Sequence, residues 1–457
     1  MFRWANVMII LTLFLIENVS SSHLVKRKQQ LRVPLLVPIK GSINPLGDIC
    51  TKSAEIAVKR INEQEKVLPN YDLVVDIIDD QCNKSKSLGI MMEELLDWKW
   101  RQVDSNGGEI FTPPLLMGSP CSSVTRSVGA LVQHFGVIQA TVGGVDSELN
   151  DPNSYPNFYR LFRSSSEIAL LRVELSLSMG WNQVALLSDL RHFSYRDSYL
   201  LMQLLVQHNI TIQAEEFLID QEKVEDVVGR LKAKDARIIF AICYISNCPA
   251  IACAAYKIGL YGPTVVWIFN SAVDILKESA ARPEGCTKEM TDAFAEGSLF
   301  VGNDATGNIF DRSYQSEVGL SAGDITDYIV SHNPKLKDKS AFGWRLLCFE
   351  LAHNAAFILH NVEQSLVNES IVDLIKDKNR RTNDLTERLR QSVLSLNIKS
   401  SWGPGRWQST NFTPWQRYSY ATPALYVEQV RKTIYFYLFI FLVFNLSIEK
   451  HNFRLNI

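Results

Sequence analysis

Residues 115–132 read LLMGSPCSSVTRSVGALV. A short apolar strand, PLLMG, hands over through small polar residues to a helix expected over Ser122–His134. Three chemistries fit such a junction. A serine there can be a nucleophile on a strained turn. Hydroxyls and unpaired N–H groups at a helix start can hold a carboxylate or phosphate. Cys121 can crosslink a structural turn. Simple N-capping by serine is a further option for Ser122 and Ser123.

The pattern on either side is α/β. Upstream, PLLVPIK reads as a strand, DICTKSAEIAVKRINEQEK as a helix, YDLVVDIID as a strand and SKSLGIMMEELLDW as a helix. GVIQATV follows as another strand. This β-α-β-α order predicts a parallel sheet with helices on both faces. The alternation restarts after FYRLFRS: helix Glu167–Met179, strand NQVALLS, helix Tyr195–His208 and strand TIQAEEF. Helix Glu222–Lys234, strand ARIIFAI, helix Cys248–Ile258 and strand TVVWIF complete it. Two similar α/β lobes, joined near residues 150–165, are expected. A long helix, AFGWRLLCFELAHNAAFILHNV, comes later, and SWGPGRW has no clear element.

The 457 residues suffice for two or three domains, and 46% hydrophobic with 21% charged residues is ordinary globular composition. A formal charge of −2, with no basic tract among aromatics, gives no reason to expect a nucleic-acid partner. Arg3, the apolar run Val7–Ile16 and Ser20–Ser22 have the order of a secretory signal peptide over residues 1–22. Eight cysteines in an exported chain are disulfide candidates. Asn83, Asn209, Asn368, Asn411 and Asn445 lie in N-x-S/T sequons, as glycosylated surface positions would. The tail 431–457 contains an apolar run of eleven residues, Ile434–Phe444, short of the roughly 20 a spanning helix needs. A partial membrane anchor and a non-native end are both open readings of it.

Enzyme signatures are missing. The chain has no G-x-S-x-G elbow, P-loop, H-E-x-x-H or kinase set, so no catalytic residue and no cofactor are expected. Cys243, Cys248 and Cys253 are spaced too widely for a typical zinc site, so no metal is expected either.

LPNYDLVVDIIDDQC, PCSSVT, FYRLFRS, MGWNQVALLS, LKAKDARIIFAICY, YKIGLYGPTVVW and CTKEMTDAFAEGSLFV resemble the ectodomain of metabotropic GABA (type B) receptors. These are class C G-protein-coupled receptors, and the resemblance runs from about Pro34 to Asn361. It implies a bilobed, periplasmic-binding-protein-like (type I) Venus flytrap: two parallel-sheet lobes with helices on both faces. The first lobe would span 34–160, completed by part of 300–370, and the second 161–295, completed by part of 370–430. It also implies disulfides Cys82–Cys121 and Cys253–Cys286, leaving Cys50, Cys243, Cys248 and Cys348 open.

The family's amino-acid pocket carries over in part. Ser122, with Ser123 beside it, matches the serine that grips the ligand carboxylate, and Tyr244 matches a tyrosine of the opposite lobe. A second gripping serine falls on Val145, a histidine on Phe162, a tryptophan on Ala272 and the amine-holding acid on Trp344. Asp146 counts with Ser122, Ser123 and Tyr244 as a ligand-site residue, and it adds a negative charge near the ligand carboxylate's expected place.

The resemblance therefore implies an extracellular domain that senses a small amino-acid-like ligand by lobe closure and signals through G proteins in a full-length receptor. Partners would be that ligand and a second receptor ectodomain, as homo- or heterodimer. Membrane attachment would come through the tail or a further C-terminal region. The ectodomain of an invertebrate Venus kinase receptor, or a non-binding partner subunit, are the alternatives.

Overall fold

A computed structural model of the chain describes residues 28–40, 44–96, 100–103, 105, 107–162, 164–190, 195–219, 222–243, 247–270, 282–302, 312–337 and 343–400. It further describes the strands at 403–408, 416–419, 426–429 and 436–438. The signal-peptide segment, Tyr244, Ala272, Asn411 and Asn445 lie outside these residues.

The first run is β1 (Gln29–Val37), α1 (Asn44–Gln64), β2 (Tyr71–Asp79), α2 (Lys84–Leu96), β3 (Arg101–Val103), β4 (Glu109–Phe111), β5 (Leu115–Gly118), α3 (Ser122–Val132), β6 (Ile138–Thr141) and β7 (Phe158–Arg160). The second is α4 (Ser165–Ser178), β8 (Gln183–Asp189), α5 (Tyr195–Gln207), β9 (Thr211–Leu218), α6 (Val224–Ala233), β10 (Ile238–Ile242), α7 (Cys248–Lys257), β11 (Val266–Phe269), α8 (Lys288–Ala295) and β12 (Leu299–Gly302). The chain then forms α9 (Ala322–His332), α10 (Arg345–Ser365), α11 (Ile371–Lys376), α12 (Thr386–Ser395), β13 (Asn397–Ser400), β14 (Gly403–Gln408) and β15 (Gln416–Ser419). It ends with β16 (Tyr426–Gln429) and β17 (Phe436–Leu438).

Two sheets result. One has the order β13-β14-β15-β7-β6-β5-β1-β4-β3 with β2 also beside β1, and the other β17-β16-β12-β11-β10-β8-β9. The βαβ runs pair in parallel, as their crossover helices require. This is the bilobed α/β fold. Each lobe has its own core: α1 and α10 bury Ile49, Ile61, Phe349 and Leu359 against the first sheet. Leu186, Phe240 and Ile268 fill one face of the second sheet, and Leu187, Ile239 and Phe269 the other.

Some boundaries differ from the sequence reading. β1 starts at Gln29, not Pro34, because polar residues extend it in register with β2; Arg32 pairs with Asp76 at 2.8 Å. Pro34, with no N–H to give, falls between the β4 register at Gln30–Leu31 and the β5 register at Leu35–Leu36. SWGPGRW contributes β14, paired on both edges. Ile371, Leu374, Leu389, Val393 and Ile398 enter the first lobe's core, whereas Tyr426–Gln429 pairs antiparallel with β12 in the second. Within the apolar run 434–444, Phe436–Leu438 pairs with β16, and no described helix is long and apolar enough to cross a membrane.

Four disulfides brace the fold: Cys82–Cys121, Cys253–Cys286, Cys50–Cys348 and Cys243–Cys248. The third ties α1 to α10, and the last spans the turn between β10 and α7.

Candidate functional site at the carboxyl ends of the strands

The junction after β5 is held from several sides. Gly118 has φ +88°, and a Cβ there would meet the Leu36 carbonyl oxygen at 2.1 Å, so only glycine fits. Ser119 is buried; its Oγ accepts from the Cys121 N–H at 3.0 Å, and its carbonyl accepts from the Thr125 hydroxyl at 2.8 Å. Asp80, pushed upward chiefly by burial, accepts from the Cys82 N–H at 2.7 Å on the other side of the Cys82–Cys121 bridge. Both cysteines of that bridge thus sit at the carboxyl ends of β-strands flanking β1.

Helix α3 begins here. Its cap residue is Cys121, in extended conformation and with no side-chain cap. Ser122 and Ser123 are its first two residues, so they are not caps. Both are half-buried, and among the described residues neither hydroxyl has a protein hydrogen-bond partner. No acidic residue occupies the first turn. The start of α3 therefore offers two unpartnered hydroxyls and first-turn N–H groups at a positive helix end beside the sheet's carboxyl edge. That chemistry suits a carboxylate or phosphate.

The loop after β6 closes against this turn. A Cβ at Gly143 would meet the Pro120 carbonyl oxygen at 2.1 Å, so this loop passes close to the turn that precedes α3. Val145 is half-buried, and its carbonyl accepts from the Ser165 N–H at 2.7 Å. Asp146 is turned inward. It is fully buried, accepts from the Glu148 N–H at 2.9 Å and lies 3.1 Å from Arg126 Nε. Arg126, held charged by these acids, also meets Glu148 at 2.6 Å. The charge expected near the ligand is therefore balanced within the protein.

Phe162, just after β7, and Trp344, at the cap of α10, bring their ring centroids to 4.7 Å. Trp344 stands one turn before Cys348, which shares an apolar wall with Gly118, Pro120 and Val142. Two positions read as lost polar contacts thus form one aromatic pair on the first lobe. Of the second lobe's expected contacts, Tyr244 and Ala272 are outside the described residues. Among the described residues nearby in sequence, Cys243 N–H donates to Asn270 Oδ1 at 3.0 Å, and Asn247 donates to Asp189 at the end of β8.

Sequence reading missed a polar cluster beside the crossing from β7 to α4. Arg160, fully buried, donates to the Gly144 carbonyl at 2.7 Å and to Asn150. Asn150 in turn donates to Ser164 at 3.0 Å and Ser166 at 3.1 Å. Arg160 and Arg172, charged residues inside otherwise apolar segments, were the available signal. Arg172 is lowered to about 10 by burial. The sequon residues Asn83, Asn209 and Asn368 are all exposed, and Asn83 Oδ1 accepts from the Lys86 N–H at 3.0 Å. Among the described residues no group of three or more His, Cys, Asp or Glu side chains could hold a metal ion.

Comparison with known proteins gives a consistent picture. The family model described as "Receptor family ligand binding region" matches residues 49–389. The gamma-aminobutyric acid type B receptor subunit 1 of Caenorhabditis elegans is 24% identical over 225 residues, 49% of this chain and 23% of that protein. Subunit 1 of Mus musculus is 25% identical over 58% of this chain and 26% of that protein. Subunit 2 of C. elegans is 20% identical over 70% of this chain and 38% of that protein. The matches thus cover well under half the length of these relatives. Among solved structures, a solute-binding protein of an ABC transporter from R. palustris, in complex with 4-hydroxybenzoate, superposes with TM-score 0.63. It has 12% identity, over 88% of this chain and 94% of that one. A periplasmic binding protein type 1 from Bordetella pertussis gives TM-score 0.62 and 13% identity, over 90% and 100%. These likenesses establish the fold.

Proposed function

The chain belongs to the receptor ligand-binding-region family, and we propose that it is the extracellular sensing domain of a GABA type B-like receptor. A small carboxylate-bearing ligand would enter between the lobes and seat its carboxylate on Ser122, Ser123 and the first-turn N–H groups of α3. Contact with the second lobe near Tyr244 would favour the closed arrangement, since a ligand shifts an equilibrium only through its differential affinity for the two states. In a full-length receptor that closure would be passed to a G protein through a partner subunit. Four disulfides fit an exported, cell-surface domain.

The observation that carries this reading is the pair of unpartnered serine hydroxyls at the start of α3. GABA itself fits poorly. Val145 has no donor for a carboxylate, and the Phe162–Trp344 pair offers no carboxylate to an ammonium. Loss of a hydrogen bond to a charged group costs roughly 1.5–3 kcal/mol, so two such losses weaken binding by two orders of magnitude or more.

Titration calorimetry of the secreted protein against GABA, glycine, arginine and glutamate tests the reading. Weak or absent binding of GABA is expected, with Ser122→Ala weakening whichever amino acid binds by about ten- to a hundredfold. Micromolar GABA binding that Ser122→Ala abolishes would overturn the ligand assignment. Silence with all four would favour the second reading, a partner subunit that binds no ligand; the aromatic pair in place of polar contacts favours it already.

A further inference from the structure

We propose that Asp197 is a proton-responsive latch between the lobes: with a proton on its buried carboxyl it holds the second lobe's α5 against the first lobe's 145–150 loop, and on losing that proton it loosens the contact.

Asp197 stands in the first turn of α5, yet its partners lie outside that helix. Its Oδ1 accepts from the Ser147 N–H at 3.0 Å, which belongs to the first lobe. The Ser165 hydroxyl, at the start of α4, donates to the same oxygen. The residue is 4% exposed, and its Oδ2 is buried and makes no hydrogen bond, with the Ser147 hydroxyl close by. Across the junction lies Asp146, also fully buried.

The surrounding charges decide the sign. Asp146 faces Asp197 from the loop, and its own counter-charge is Arg126 on α3, shared with Glu148. From α4, Arg172 attracts Asp197 at a distance but makes no ion pair with it. Arg196, the neighbour on α5, acts on Asp151. A carboxylate at this place is thus desolvated and repelled by Asp146; the Ser147 and Ser165 donors favour it, but its cationic compensation is only remote. Burial, and then Asp146, raise Asp197 to about 6.

With the lobes parted the carboxyl would regain water and an ordinary value near ~3.9, so the apposed arrangement binds more protons than the parted one. The stabilisation is complete below about pH 4 and is lost as pH rises through about 6. Acidification tightens the junction. The inference does not depend on which ligand the cleft takes.

Hydrogen exchange on the full secreted chain without ligand tests it, reading the protection factor of the Ser147 amide after correction for intrinsic rates. From about pH 7.5 to about pH 5.5 protection should rise about fourfold in the wild type. In Asp197→Asn it should be independent of pH. In the milder Ser165→Ala, which removes a donor that favours the carboxylate, the midpoint should move to higher pH. A flat wild-type profile, an unchanged pH response in Asp197→Asn, or an unmoved midpoint in Ser165→Ala would each overturn the proposal.

Discussion

Arg126 faces two acids, Asp146 at 3.1 Å and Glu148 at 2.6 Å, from a side chain 27% exposed. Asp146 has no exposure of its own, so removal of the guanidinium strands a buried charge. Breaking a fully buried pair costs 3–5 kcal/mol, and the partial exposure of Arg126 lowers the expected loss to about 2 kcal/mol for Arg126→Ala. Denaturant unfolding should show that loss, with Glu148→Ala, whose acid is more exposed, costing well under half as much. Equal effects would show that Asp146 does not depend on Arg126. Linear order hid this pair, because the two residues meet only when the β6 loop folds back onto α3. Asp146 therefore read only as a charge at the ligand site, with its Arg126 partner out of view. Ser122 was legible because a strand-to-helix junction can be seen in one short stretch, although the cap proved to be Cys121.

At the scale of elements, α1 and α10 are joined by Cys50–Cys348 across 298 residues of sequence. No spacing rule could have paired them, since only the packing of the two helices over the first sheet brings them together. A crosslink closing so long a loop restricts the unfolded chain strongly, and Cys50→Ala/Cys348→Ala should cost roughly 2–5 kcal/mol of unfolding free energy. Cys243→Ala/Cys248→Ala, which closes a turn of five residues, should cost much less. A reversed order would show that strain or unfolded-state structure, not loop closure, governs these bridges. The βαβ strands were readable because a strand buried on both faces reads as a short apolar run, as in NQVALLS, which forms β8. The short pair β3–β4 was not. Its strands are three residues long, and both carry charged ends, Arg101 and Glu109, which pair across it. β14 escaped for a similar reason: Gly403, Pro404 and Gly405 mask a strand that long-range pairing forms.

The two lobes trade chain segments, with residues 371–400, β14 and β15 returning to the first lobe and 426–429 pairing in the second. This return was only partly legible, because strand exchange depends on which sheet edge is free. The central claim belongs to the whole molecule: one ligand is held by both lobes. Differential hydrogen exchange with each of the four amino acids at saturation measures it most directly. The account predicts that the amino acid which binds protects both the first turn of α3, Ser122–Thr125, and the second-lobe segment Cys243–Ile251. Protection confined to one lobe, or absent with all four, would contradict it.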